Sequence, residues 1–407
     1  MEQTETPPPG RRVALAVLGL SAMTIMANAT VASSLPGLKR HFADVAGIDT
    51  LAGLIVTLPS LAVVITAGLM GWLADRMDRQ KLLAFVALCY GLGGTSGLWA
   101  ESLNAILAGR LLLGVGVAGT MTLGMTWSAD LWQGAARARF LGLQGAAISV
   151  AGIVFMLTGG ALAGLHWRGA FAVYALILPV AVLALLALAP YSRERRRAAP
   201  VAKGMARQAG FPWAAFAFVG SLGFVFQAAF YITPTRLPFR LEELGVANPL
   251  AVGALMAALV AVSAPVSLAY GRIRRHVSAM SVFGLSFALI GAGFVAHALA
   301  QDWHGVLAGS VIAGLGMGLS MPNYTTWFLA RVPMAMRGRA SGLLTTAFFL
   351  GQFASPLVSA PLVAHLGLAG AFGAVGGTLI GLGLLLAVAQ IWWPEQARPE
   401  TAPAAVS

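Results

Sequence analysis

The chain has 407 residues, of which 58% are hydrophobic and 10% are charged. Soluble domains carry about 25% charged residues, so this composition excludes an ordinary soluble protein and indicates a chain that lies mostly in lipid. A formal net charge of +12 would suggest a nucleic-acid partner for a soluble protein. In a membrane protein, lysine and arginine instead indicate which side of the bilayer each loop occupies. We therefore expect no nucleic acid to bind.

Twelve apolar runs follow one another along the chain, and each is long enough to cross a bilayer as an α-helix. They lie near residues 13–37, 50–73, 82–100, 104–128, 140–165, 169–190, 211–235, 249–270, 278–300, 305–329, 340–364 and 370–393. The spacing predicts an all-α integral membrane protein with twelve transmembrane helices in two six-helix bundles, 13–190 and 211–393. Residues 1–12 and 394–407 are predicted to be disordered cytoplasmic tails, and 191–210, rich in arginine and alanine, a cytoplasmic linker.

Lysine and arginine indicate how these spans are oriented. If the N-terminus is cytoplasmic, twenty of these cations lie in inner segments and five in outer loops, and cationic loops resist translocation. The five outer cations are Lys39, Arg40, Arg168, Arg236 and Arg240. We therefore expect both termini on the cytoplasmic side of a bacterial inner membrane.

An internal repeat relates the two halves at an offset of 200 residues. Leu107-Ala108-Gly109 returns as Leu307-Ala308-Gly309, and Gly114 returns as Gly314. Because each half has an even number of spans, the copies are parallel repeats around an axis normal to the membrane. Two such bundles would enclose a central cavity that opens to either side by rocking.

A charged loop follows the second span. It reads Gly71-Trp72-Leu73-Ala74-Asp75-Arg76-Met77-Asp78-Arg79-Gln80-Lys81 and resembles the signature loop of the major facilitator superfamily, G-x-L-A-D-R-x-G-R-[RK]. Asp78 departs from the usual glycine and Gln80 from a basic residue, and the second half holds only a degenerate copy without the acid, at 271–275. The resemblance covers about residues 12–393 and implies the pseudo-symmetric twelve-helix fold of that superfamily, with transport of a small molecule by alternating access.

The same resemblance implies roles for individual loop residues. Asp75 would face the start of the eleventh span, where the positive end of a helix favours a carboxylate, and Arg79 would pair with Asp130. These contacts would latch the cytoplasmic gate in the outward-open state. The residues assigned to the latch are Gly71, Asp75, Arg76, Arg79 and Asp130. The simpler alternative is a tight cationic turn that only sets the topology.

Arg110 is a formally charged residue well inside a predicted span. A charge there costs at least about 2.5 kcal/mol, which implies an aqueous cavity or a partner. The stretch around it is similar to the fourth-helix motif of drug/proton antiporters, which implies that Arg110 binds an anionic group of the substrate or steers a proton-carrying acid. The alternative is that its side chain extends to the outer interface, about 8 Å away along the helix.

The cavity-lining residues follow from the superfamily pattern, in which the first helix of each three-helix unit faces the cavity. On that assumption the residues expected to bind the substrate are Thr24, Asn28, Arg110, Met121, Gln144, Gln227, Phe230, Tyr231, Ser320, Asn323, Tyr324 and Gln352. Methionine, aromatic rings and a few amides make adaptable apolar contacts with few hydrogen bonds, which favours amphipathic substrates over sugars. For each methionine or phenylalanine alone, ordinary packing is the alternative.

The positions of the acids bear on proton coupling. All fourteen fall in tails, loops or span ends, whereas proton-coupled exporters commonly keep a carboxylate within the membrane. Coupling would then have to use Asp44, Asp49 or Glu101, or else His297, for which a satisfied interfacial histidine is the favoured interpretation.

These observations predict a secondary active transporter that exports a small amphipathic molecule, is coupled to protons and acts as a monomer. The alternative is a proton-independent facilitator or importer of an organic anion held by Arg110. We do not expect an enzyme, because the sequence has no H-E-x-x-H, G-x-S-x-G or phosphate-binding loop. One cysteine and six histidines form no ligand cluster, so neither a metal nor a cofactor is expected.

Overall fold

The computed structural model describes residues 9–195 and 210–392 of the chain. Throughout these two ranges the regular elements are helices. Most of the predicted tails and linker lies outside the described residues. The first helix already begins at Arg11 and the sixth span continues to Arg195, so both extend beyond their predicted bounds.

We number the spans 1 to 12 in chain order. Seven are single helices: span 2 (Ile48–Arg76), span 3 (Arg79–Trp99), span 4 (Leu103–Leu131), span 5 (Gly134–Leu165), span 8 (Pro249–Ile273), span 9 (Ala279–Leu299) and span 10 (Trp303–Leu329). Three are broken: span 1 (Arg11–Ala29, a 3-10 turn Thr30–Ser34, then Leu35–His41), span 6 (a 3-10 segment Gly169–Leu176, then Ile177–Arg195) and span 7 (Trp213–Phe230, then Ile232–Glu243). A short 3-10 turn, Met334–Met336, precedes span 11.

Gly367 separates spans 11 and 12. The helical segment Arg337–Trp392 has 56 residues, and as one straight helix it would be about 84 Å long, far more than a bilayer needs. Its backbone is non-helical at Gly367, where φ is +69°, a conformation that favours glycine because it has no Cβ. Residues 337–366 and 368–392 are therefore two spans, and the prediction of a twelve-helix membrane protein is confirmed.

The predicted end of span 7 is wrong. The sequence analysis ended this span at residue 235 and placed Arg236 and Arg240 in an outer loop, but the helix Ile232–Glu243 contains both residues. Pro234 and Pro238 interrupt the apolar pattern there without ending the helix. Arg240 donates to the carbonyls of Ala298 and Ala300 at 3.2 and 2.8 Å and so caps the end of span 9.

The 200-residue repeat is visible in the packing of the helices. A Cβ placed on Gly93 of span 3 would lie 2.5 Å from the carbonyl oxygen of Gly109, and one on Gly293 would lie 2.6 Å from that of Gly309. Helix starts repeat as well: Asp78 and Ser278 cap spans 3 and 9, and Ser102 and Asp302 cap spans 4 and 10. The departure Asp78 in the signature loop is thus an N-cap, whose carboxylate accepts from the Gln80 N–H at 2.9 Å.

Gly114 provides a test of this packing. A Cβ there would lie 2.4 Å from the backbone oxygen of Pro59, so Gly114→Ala should destabilise the protein by about 1 to 3 kcal/mol through overpacking. Gly142→Ala is the matched control, because its Cβ would meet no atom within 4 Å and alanine favours a helix. Thermal unfolding of the purified variants should show a lower Tm for the first only. Equal Tm values would contradict the packing.

Candidate functional site

The first six and last six spans contact each other at one end of the molecule. A Cβ on Gly53 of span 2 would lie 2.7 Å from Pro356 Cβ of span 11, and one on Gly160 of span 5 would lie 2.9 Å from the backbone oxygen of Pro249 in span 8. Gly253 of span 8 approaches Met156 and Gly160 in the same way. We call this the closed end; the sequence predicts that it faces outward.

The same four helices separate toward the other end. Glycines there would carry a Cβ with no described atom within 4 Å: Gly68 and Gly71 on span 2, Gly142 and Gly145 on span 5, Gly271 on span 8, and Gly338 and Gly342 on span 11. Gly142 lies eighteen residues, about five turns, from Gly160, and Gly271 lies as far from Gly253, so each pair shares a helix face. Faces that contact at the closed end therefore diverge into a chamber, which opens at what we call the open end.

Charged side chains join the halves across the closed end. Arg40 at the end of span 1 pairs with Glu242 of span 7, and Lys39 pairs with Asp49 while lying 5.5 Å from the ring centroid of Phe239. These groups are substantially exposed, so each pair contributes little by itself. Two cavities at this end, of about 220 and 430 Å³, flank the Arg40–Glu242 pair. The Arg40–Glu242 pair and the Lys39–Phe239 contact therefore bridge the halves only while this end is closed, whereas the Lys39–Asp49 pair lies within the first half.

Arg236 is a buried charge at the same contact, which sequence reasoning missed. Only 3% of it is exposed. Its Nε donates to Ser359 Oγ at 3.1 Å and its Nη1 to the backbone oxygen of Asp49 at 3.1 Å, so it connects spans 7, 11 and 2. If span 2 moved away, Nη1 of Arg236 would lose the Asp49 oxygen and be left unpaired. Arg236 therefore stabilises the closed end.

One hydrogen bond between the halves lies deeper, at the base of the chamber. Ser60 of span 2 donates to Gln352 Oε1 of span 11 at 2.9 Å, and both side chains are buried. Gln352 belongs to the predicted substrate set, whereas Ser60 does not. Pairing of the two places Gln352 at the inter-half contact.

Several predicted substrate residues remain partly exposed. They are Thr24 on span 1, Met121 on span 4, Gln144 on span 5, and Phe230 and Tyr231 at the break in span 7. Gln144 is held by neighbours: its Nε2 donates to Ser21 Oγ at 2.5 Å, and its Oε1 accepts from Ser128 Oγ at 3.2 Å. The Asn28 side chain lies outside what the structure describes.

Five other predicted residues are buried within the halves. Gln227 is 5% exposed, and its Oε1 has no hydrogen-bond partner among the described residues. Asn323 accepts from Tyr270 and donates to the Ala279 carbonyl, Tyr324 donates to the Leu222 carbonyl, and Ser320 donates to the Gly316 carbonyl. Arg110 is the fifth. In this conformation Arg110, Ser320, Asn323 and Tyr324 have almost no surface that a solute in the chamber contacts.

Arg110 neither lines an aqueous cavity nor reaches the outer membrane interface, which are two of the surroundings that the sequence analysis considered. It is 0% exposed, so it borders no water and does not extend to the interface. Its Nε donates to the Ile55 carbonyl at 2.7 Å, and its Nη2 donates to the Ala27 carbonyl at 2.7 Å and to Tyr174 Oη at 3.0 Å. Pro59 has no N–H, so the carbonyl four residues earlier, that of Ile55, lacks its helical partner. Arg110 therefore satisfies backbone oxygens that lipid could not.

The signature loop lies at the open end. Asp75 is exposed, and Arg76 stacks 4.3 Å from the ring centroid of Trp72. Arg79 Nη1 donates to Asp130 Oδ2 at 2.7 Å, the pair that the resemblance implied. Because Gly53, Gly71 and Asp75 recur at helical spacing, Asp75 lies on the face of span 2 that contacts span 11 at the closed end. The latch role itself stays a prediction.

The acids and His297 are arranged as follows. Asp44 and Glu101 are exposed in loops, and Asp49 is paired with Lys39. His297 is fully buried, with Nε2 3.2 Å from Ser310 Oγ and its ring against Phe372. Its position is therefore interior rather than interfacial. In the described residues, no group of three or more metal-ligating side chains comes together.

Arg110→Lys distinguishes a structural role from a substrate-binding role. A lysine keeps the charge but cannot donate to Ile55, Ala27 and Tyr174 together, so we expect a loss of about 1 to 3 kcal/mol in stability. Arg139→Lys, an exposed change, should leave Tm unaltered. An unchanged Tm for Arg110→Lys, together with altered solute affinity, would contradict the structural role.

Two relatives are similar to this chain in sequence, one over most of its length and one over a shorter part. Tetracycline resistance protein, class C, of Escherichia coli is 23% identical over 360 residues, 84% of this chain and 88% of that protein. The bacillibactin exporter of Bacillus subtilis (strain 168) is 37% identical over 86 residues, 20% of this chain, and the matched part spans about a fifth (21%) of that protein.

Solved structures agree at the level of the fold. A bacterial homologue of the human lysosomal transporter Spinster, in an inward-facing and unoccupied conformation, matches with a TM-score of 0.69 at 18% identity, covering 94% of this chain and 95% of that one. A POT family transporter in complex with a thioalcohol-conjugated peptide gives 0.74 at 12% identity, covering 94% and 96%. The sequence model of the Major Facilitator Superfamily matches residues 17–356 and 272–406. The chain is a multi-pass membrane protein that belongs to the Major Facilitator Superfamily.

Proposed function

We propose that this protein exports a small amphipathic organic molecule across a bacterial inner membrane by alternating access. The observation that carries the proposal is the chamber between the halves, closed where Gly53 meets Pro356 and open beyond Gly142 and Gly271. With the predicted orientation, the open end faces the cytoplasm and admits solute from inside. Separation of the closed end would then release the solute outside.

The chemistry of the chamber supports an amphipathic solute. Met121, Met125 and Phe224 are partly or largely exposed on spans 4 and 7, and Gln144 adds an amide. Flexible methionines and an aromatic ring suit apolar groups of varied shape, and a single amide supplies few hydrogen bonds. A sugar would need more polar partners than these residues offer.

Two relatives favour export over import. One is a bacillibactin exporter and the other a tetracycline resistance protein. The alternative, a facilitator for an organic anion bound by Arg110, is weaker because that guanidinium is buried inside the first bundle, where its Nε and Nη2 already donate to backbone oxygens. We retain a monomer as the working unit, since each chain contains both sides of its chamber.

Proton coupling would have to use an acid at the closed end. Asp49 and Glu242, the acids nearest the inter-half contact, lie in ion pairs at the closed end rather than within the chamber. If protons drive export, we expect Glu242, whose partner Arg40 belongs to the other half, to lose that partner and bind a proton when this end opens. A pH gradient imposed on proteoliposomes should then accelerate flux, and its collapse should abolish accumulation.

Flux measurement tests the function directly. Purified protein in proteoliposomes should transport members of a panel of neutral, cationic and anionic amphipathic dyes, with sugars as negative controls. Binding is screened first by ligand-induced shifts in Tm. The export proposal would be wrong if sugars crossed and no amphipathic dye did.

A cross-link tests whether the closed end must open. In a Cys89→Ser background, Arg40→Cys with Glu242→Cys should be joined by a bis-maleimide, because these partly exposed side chains face each other across the halves. We expect the cross-link to reduce dye flux at least tenfold, since outward release is blocked, whereas either single cysteine with the same reagent should retain flux. Undiminished flux through fully cross-linked protein would exclude alternating access at this end.

Asp75→Asn tests the proposed latch. Asp75 lies on the span 2 face that would approach the start of span 11 if the open end closed, so loss of its charge should disfavour the outward-open state. We expect slower flux with normal insertion and an unchanged Tm, because the side chain is exposed here. Transport at the normal rate would leave the loop as a topological turn only.

A further inference from the structure

The two sides of the open end differ in charge. On one side, span 2 presents the acid Asp75 toward span 11, whose first turn carries Arg337 and Arg339. On the other side, span 5 presents Arg139, and span 8 with the turn after it presents Arg272 and Arg275. These last three arginines are exposed. Closure would therefore pair unlike charges on the first side and like charges on the second.

The positions of Arg139 and Arg275 indicate that closure of the open end would bring them toward each other. Gly142 and Gly271 lie on the faces through which spans 5 and 8 contact at the closed end, at Gly160 and Gly253. Arg139 precedes Gly142 by three residues and so lies close to this face of span 5. Arg275 lies in the turn directly after span 8, which ends at Ile273, and so is close to the open-end terminus of that helix. A rocking motion that brings the open-end parts of spans 5 and 8 together would bring these two guanidinium groups together as well.

The chain supplies no acid to this side from the two spans concerned. Residues 134–165 and 249–278 contain neither aspartate nor glutamate. Like charges brought together at the mouth of an apolar chamber repel, and partial loss of water strengthens the repulsion. Loops that are cationic for topology alone require no such convergence onto facing helix faces.

We propose that a phosphate-bearing anion binds between spans 5 and 8 at the open end and bridges Arg139 to Arg272 and Arg275, and that this anion allows the open end to close. Arginine suits such a bridge because its planar fork holds two phosphate oxygens at once. The proposal rests on alternating access as proposed above. An anionic lipid headgroup and free inorganic phosphate supply the same chemistry.

The rate of cysteine labelling reports closure. The reporter is Gly145→Cys in a Cys89→Ser background, because a side chain at residue 145 of span 5 would meet no described atom within 4 Å. A water-soluble maleimide should label this cysteine quickly while the open end is open and slowly when it is closed. Nanodiscs of phosphatidylcholine alone, or with phosphatidylglycerol, expose both faces of the protein. Ala43→Cys, exposed in the first loop, corrects for any effect of the lipid on the reagent.

The expected result is a roughly fivefold or greater slowing by phosphatidylglycerol, the lower end of ordinary coupling between sites. Arg139→Gln should remove the lipid effect, whereas Arg139→Glu, which supplies an internal acid, should slow labelling in phosphatidylcholine alone. Arg137→Gln is the matched control, because Arg137 is also exposed but points away from the Gly142 face, and it should behave as the parent protein.

A second labelling experiment distinguishes a lipid headgroup from free phosphate as the source of the anion. Millimolar inorganic phosphate added to phosphatidylcholine nanodiscs should reproduce the slowing if a free anion suffices, and should have no effect if the site requires a lipid. Labelling that neither anion slows, or slowing that persists in Arg139→Gln, overturns the inference. A dye identified by flux should slow labelling further in nanodiscs that contain phosphatidylglycerol and much less in phosphatidylcholine alone. If the dye slows labelling equally in both lipids, this inference fails while the proposed function stands. If no transported dye slows labelling in either lipid, the proposed function fails.

Discussion

Transport by alternating access depends here on contacts between two pairs of helix faces, those of spans 2 and 11 and those of spans 5 and 8. At Gly53 and Gly160 the absence of a side chain lets the partner helix approach until a single Cβ would overlap it. In lipid, such close packing is a main source of helix association, because the apolar side chains gain little by leaving the acyl chains. Since the same faces separate at the other end, one rigid rotation can exchange which end is closed.

Three arginines donate to backbone carbonyls and so stabilise irregular or terminal parts of the helices. Arg110 binds the carbonyl that Pro59 leaves without a helical partner, together with the Ala27 carbonyl next to the break in span 1. Arg240 caps span 9 through its carbonyls, and Arg236 extends the same chemistry across the halves. Irregular backbone is tolerated in a membrane only where such groups are paired within the protein.

The sequence was informative where the signal lay in composition or in a repeat. Twelve apolar runs predicted twelve spans, and the 200-residue offset matched Gly114 to Gly314, which the structure packs in the same way, against Pro59 and Leu259. It placed Arg236 in a loop because Pro234 and Pro238, which usually indicate the end of a helix, lie on either side of it. It assigned Asn323 to the chamber because these helices are apolar on every side, so their sequence does not tell which face contacts neighbours and which faces water.

Two distances measured in one protein test the central claim most directly. Spin labels at Gly142→Cys with Gly271→Cys report the open end, and labels at Ala43→Cys with Ala247→Cys, in exposed loops of opposite halves, report the closed end. With a transported dye present, the account predicts that the first distance shortens in the same population in which the second lengthens. A closed-end distance that stays short while dye crosses the membrane would contradict it.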